Sequence, residues 1–110
     1  MFNAQQDLTA VDVSGLDTSS KGTLTSTATM FSQCTGLTKV KFGGRFDTSK
    51  VTNMSMMFYA CSKLKTLFLS KLDTSNVTDM KNMFDACGGL RSLNLSTFDT
   101  SKVTDMSNMF

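Results

Sequence analysis

Proline, histidine and tryptophan are absent from this 110-residue chain, and tyrosine occurs once. Without histidine the chain lacks the side chain most used as a general base near neutral pH. Zinc sites rest on His or closely paired Cys ligands; neither occurs, so no metal and no other cofactor is expected. No apolar run approaches the ~18 residues that a membrane-spanning helix requires. The opening segment MFNAQQDLTAVD has no basic stretch and no apolar one, so no signal peptide is read in it. Charge is sparse and balanced, 11 Lys and Arg against 9 Asp and Glu. That balance argues against nucleic acid or membrane insertion. Hydrophobic residues make up 40% of the chain, which fits a folded protein, and its length fits a single domain over residues 1–110.

Repetition is what the chain has in excess. Asp-Thr-Ser triplets begin at Asp17, Asp47, Asp73 and Asp99, spaced by 30, 26 and 26 residues. Met-Phe pairs begin at Met1, Met30, Met57, Met83 and Met109, spaced by 29, 27, 26 and 26. Cys34, Cys61 and Cys87 follow at 27 and 26. Three independent markers with one period define an internal repeat, with units at approximately 1–29, 30–56, 57–82 and 83–110. The excess residues are a three-residue insertion that carries Gly22 and a single extra residue within Gly43-Gly44-Arg45.

Each unit reads as three parts. Leu64, Leu67 and Leu69 match Leu90/Leu93/Leu95, Leu37/Val40/Phe42 and Leu8/Val11/Val13, and the alternation predicts a short strand over Thr66–Leu69. A turn rich in Asp, Thr and Ser follows. Then Met80, Met83, Phe84 and Cys87 fall at i, i+3, i+4 and i+7, the spacing of one helix face, which predicts a short helix over Thr78–Cys87. Thr78 suits its N-cap, and Gly88-Gly89 its end. Such a unit buries its apolar face only against another unit. The expected fold is an α/β repeat, a leucine-rich-repeat-like solenoid with four rungs of short parallel strand, turn and short helix.

The unit L-x-x-L-x-L-S-x-F-D-T-S-x-V-T-D-M-x-x-M-F-x-x-C resembles the BspA-like leucine-rich repeat surface proteins with FDTSNVTDM-type repeats. The likeness is closest over 64–110 and weakens in the first copy, where Thr27 replaces Met54, Met80 and Met106, and Gln5 replaces the cysteine. The resemblance implies a leucine-rich-repeat-like solenoid, an extracellular or bacterial cell-surface location and a part in adhesion. It implies no catalytic residues.

Candidate site residues divide into ladders. Stacked copies would align Cys34, Cys61 and Cys87, which read as buried thiols on the apolar face, with a disulfide between neighbours as the alternative. Asp17, Asp47, Asp73 and Asp99 would form a second ladder. Each is expected to accept hydrogen bonds from its own turn; the alternative is calcium, although the Gly-x-Asp density of calcium-binding repeats is missing. The Met and Phe stripes read as core. Lys39, Lys41, Lys50, Lys63, Lys65, Lys71, Lys81 and Lys102 read as solvated surface.

The two ends of the chain fall at the same point of the repeat, and neither shows a polar cap. Open repeat ends present core side chains and unpaired edges. The expectation is therefore a structural or interaction protein, not an enzyme, that associates head to tail with itself into an extracellular filament. The stacking residues would be Met1, Phe2, Leu8, Val11 and Val13 at one end. At the other they would be Leu93, Leu95, Val103, Met106, Met109 and Phe110. The alternative is a fragment of a larger surface adhesin that binds a host or matrix protein.

Overall fold

The computed structural model describes residues 2–20 and 23–110. Met1 and the inserted Lys21 and Gly22 lie outside the described residues. The period of the sequence is also the period of the hydrogen bonds. The amides of Phe2, Phe31, Phe58 and Phe84 donate to the carbonyls of Met30, Met57, Met83 and Met109 at 2.7, 2.8, 3.0 and 2.8 Å. Around Phe58, the amides of Met54, Met56 and Ala60 donate to Asp79, Lys81 and Asp85 at 2.9, 2.8 and 2.8 Å. Bonds in the opposite sense run from Thr52, Thr78 and Thr104 to Thr25, Thr52 and Thr78 at 2.9, 2.8 and 2.8 Å. Parallel bridges join Ser26, Asn53, Asp79 and Asp105 in succession. Equivalent residues of successive copies thus lie side by side.

The α/β solenoid of four rungs expected from the sequence is not formed. Among the described residues there is no helix, and the only strands are β1 (Ala10–Val13) and β2 (Lys39–Phe42). The chain is instead a compact body of 31 × 31 × 22 Å.

The expected helix over Thr78–Cys87 is two consecutive tight turns. The Met83 amide donates to Met80 O at 3.2 Å and the Cys87 amide to Phe84 O at 3.3 Å. The third residue of each turn is left-handed, Asn82 at φ 55° and Ala86 at φ 59°. A positive φ at that position belongs to the type II turn, which is incompatible with a continuing α-helix. The same pair recurs at Thr29 and Gln33 and at Met56 and Ala60. Two turns in tandem place residues i, i+3, i+4 and i+7 on one side, so the motif copies a helix face without the helix. The physical reason for the choice is length. A helix of two to three turns is not stable alone, whereas the alternate amides of this path each reach a carbonyl of the next copy.

β1 and β2 pair in parallel, with Val11 opposite Val40 and Val13 opposite Phe42. The strand expected at Thr66–Leu69 is not formed, and glycine explains why. A Cβ on Gly43 would lie 2.3 Å from Ser14 O, and one on Gly36 2.5 Å from Gln6 O. Glycine at both positions lets β2 approach β1. The equivalents in the next copy are Lys63 and Ser70. Among the described residues no main-chain hydrogen bond joins the Thr66–Leu69 segment to β2.

Inward side chains of all copies merge into one core. Met30, Phe31, Cys34, Leu37, Val51, Met54, Met57, Phe58, Cys61, Leu64, Val77, Met80 and Met83 are buried within it. Phe2, Phe31, Phe58, Phe84 and Phe110 stack in series with centroid separations of 5.4, 5.4, 5.8 and 5.8 Å. Such parallel aromatic contacts add to the area they bury.

The turns make a direct prediction. An L-residue in the left-handed region costs about 1–2 kcal/mol, most for a β-branched one. Ala60→Gly is expected to leave stability unchanged or raise it slightly, and Ala60→Val to lower it by about 2 kcal/mol. A helix at this position would give the reverse order for Gly. Urea denaturation of the two variants reads the difference.

Candidate functional site

The aspartate ladder caps its own turns. The amides of Ser19, Ser49, Ser75 and Ser101 donate to Oδ1 of Asp17, Asp47, Asp73 and Asp99 at 2.9, 2.8, 2.9 and 2.9 Å. These are Asx turns, each closed within three residues. The serine, through its hydroxyl first and its amide second, holds Asp17, Asp47 and Asp99 below the usual carboxylate value. Among the described residues no His, Cys, Asp and Glu side chains gather as the ligands of a metal ion would.

The threonine of the same triplet carries the contact between copies. Thr48 Oγ1 donates to Asp73 O at 2.9 Å and accepts the Asp73 amide at 2.7 Å. Thr74 repeats this on Asp99 at 3.1 and 2.8 Å, and Thr18 on Asp47 at 3.1 and 2.7 Å. Thr48 and Thr74 are each 1% exposed, so their hydroxyls are core groups and not turn decoration. Sequence reading passed over them. The available signal was a threonine kept at the middle of every Asp-Thr-Ser triplet, where serine would serve a local turn as well.

The cysteines form a ladder of hydrogen-bonded thiols. Sγ of Cys34, Cys61 and Cys87 donates to the carbonyls of Phe2, Phe31 and Phe58 at 2.9, 3.0 and 3.0 Å. All three are free, so no disulfide joins neighbours. Burial pushes the Cys61 thiol up to about 12 and that of Cys87 up to about 11, and raises Cys34 as well. A thiolate is the reactive form, so these groups are chemically quiet.

The residues expected to stack between chains fall at the two ends of the phenylalanine series and are not brought together. Val11 and Val13 are buried, each beside its partner in β2, and Phe2 and Leu8 are half-buried. Leu93, Leu95 and Val103 are half-buried and Met109 is 8% exposed. Met106 and Phe110 are 43% and 72% exposed. Met1 lies outside the described residues. Among the described residues, the amides of Met106, Asn108 and Phe110 have no carbonyl partner, although their equivalents Met80, Asn82 and Phe84 all do. Phe84, Cys87, Leu90, Leu93 and Phe110 border an open hollow of about 520 Å³ beside this edge.

Phe68 is the second residue that sequence reading missed. It occupies the outward position matched by Asp12, Lys41 and Asn94, and it is 78% exposed. The signal was a single aromatic at an otherwise polar place.

Two outcomes test these assignments. Thr48→Val keeps the shape but leaves the Asp73 amide and carbonyl unpaired, and is expected to cost about 1–3 kcal/mol in urea denaturation, with Thr48→Ser much milder. The thiols set a pH dependence. Folded Cys61 keeps its proton to about 12, above its ordinary 9.0. The unfolded chain therefore sheds protons first, and stability is full below pH 9 and falls as pH rises from 9 toward 12. Unfolding at stepped pH, with Cys61→Ala as the control that makes the fall shallower, checks the sign.

Among the described residues no helix is long and apolar enough to cross a membrane. No curated protein and no solved structure matches the chain. The family described as "Mycoplasma protein of unknown function, DUF285" matches residues 25–110. With its units covering that whole span, the chain belongs to this family.

Proposed function

We propose that the chain is a non-catalytic interaction module of a BspA-like surface protein, and that its unfinished edge takes on another copy of the same unit. The observation that carries this is the edge at Met106–Phe110. Its three unpaired amides and the exposed face of Phe110 repeat the pattern by which Met80–Phe84 holds the copy after it. The surface that the edge offers is therefore complementary to the unit itself. A unit of a second chain, placed head to tail, fits this surface and gives a heterologous contact that repeats. Family membership and the FDTSNVTDM-type units support the BspA-like placement and, with it, display outside the cell.

Sedimentation velocity over a concentration series tests the reading. The chain is expected to assemble reversibly, and Phe110→Asp to abolish assembly while lowering the thermal midpoint of the monomer only slightly, because Phe110 is 72% exposed and touches Phe84 on one side. A monomer at every concentration, or a variant that assembles as well as the parent, would refute it.

A further inference from the structure

The face that carries β1 and β2 does not finish its ladder. Between Lys65 and Lys71, among the described residues, no main-chain amide donates a hydrogen bond. Their counterparts in β2 are paired with β1. Lys63 and Ser70 stand where close approach needs glycine, and this row of amides has no main-chain partner. Phe68 rises from the middle of it, 78% exposed. On one side a groove of about 490 Å³ runs between Phe68 and β2, lined by Lys39, Lys41, Lys71 and Asp12 among others. On the other side a smaller groove of about 170 Å³ separates Phe68 from Asn94 and Ser96.

Charge is distributed unevenly around this ridge. Lys39, Lys41, Lys65, Lys71 and Arg91 lie on these outward segments, and Asp12 is the carboxylate among them. The Arg91 amide bonds Lys65 O at 3.2 Å, which places the two cations on adjacent copies. The remaining carboxylates lie on other parts of the repeat, chiefly in the Asp-Thr-Ser and Thr-Asp turns.

We propose that this face binds an extended acidic protein segment carrying an apolar side chain. Its carboxylates face Lys39, Lys41 and Lys71, its main-chain carbonyls accept from the unpaired amides of the exposed residues Thr66, Phe68 and Ser70, and its apolar side chain packs against Phe68. An extended peptide presents carbonyls and side chains at the spacing of the strand it lies along, so it uses all three features together. Single-stranded nucleic acid is the poorer fit, because it is held by successive aromatic platforms and this face offers one. The surface is separate from the Met106–Phe110 edge, so the inference does not depend on self-association.

Fluorescence anisotropy of the full chain with a short labelled peptide alternating Asp and Leu tests it. Saturable binding is expected. Replacing Asp by Asn, or Leu by Gly, is expected to weaken it at least about tenfold, and added salt to weaken the Asp peptide alone. Phe68→Ser and the double variant Lys39→Ser/Lys41→Ser are each expected to lose affinity by a similar factor. Both change exposed side chains, so an unchanged thermal midpoint confirms that they fold. No saturation by the peptide, equal binding by the variants, or tighter binding of an oligonucleotide or a sulfated polysaccharide would overturn the proposal.

Discussion

The structure depends on amides that leave their own turn. In each Met-x-x-Met-Phe-x-x-Cys path the chain is bent twice through left-handed residues that are not glycine, and each bend turns alternate N–H groups toward the following copy. Every such residue is a local cost. The bend is tolerated because it delivers a buried amide to a carbonyl that would otherwise be unpaired, and an orphaned buried pair costs more. Local strain and bonding between copies are therefore two aspects of one arrangement. Neither exists in an isolated unit.

That arrangement organises the interior. Once successive copies are held side by side, the apolar members of each path have nowhere to go but onto their equivalents. Phe31 lies on Phe58, Thr48 bridges to Asp73, and Cys61 donates to the Phe31 carbonyl. The hydroxyls of Thr48 and Thr74 and the thiols are satisfied by main-chain atoms of the adjacent copy. This is how a chain with so few charges keeps hydroxyls and thiols in its core without unpaired atoms.

The repeat and the buried residues were legible in the sequence because burial follows spacing. Met80, Met83, Phe84 and Leu67 are inside, as their periods require. The backbone was not legible, because two tandem turns and one helix give the same i, i+3, i+4, i+7 signature. Only left-handed Asn82 and Ala86 separate them, and alanine is the strongest helix former. The strand pairing was hidden for a different reason. It rests on Gly36 and Gly43 facing a neighbouring copy, and their replacement by Lys63 and Ser70 reads as ordinary loop variation until the copies are laid side by side. Thr48 was obscured because a hydroxyl that suits a turn also suits a bridge.

The half-buried state of the last Leu-x-x-Leu-x-Leu segment has a dynamic consequence. Leu90, Leu93 and Leu95 have a neighbour on one side only, whereas Leu64, Leu67 and Leu69 are enclosed. Local opening begins where enclosure is least, so the molecule frays from the Phe110 edge inward while the segment around Phe58 opens only with global unfolding. Whatever covers Phe110 competes with that fraying for the same surface. Occupancy of the edge is then coupled to the lifetime of the residues behind it, and the exchange rate of a buried amide such as Phe84 becomes a gauge of whether the edge is covered.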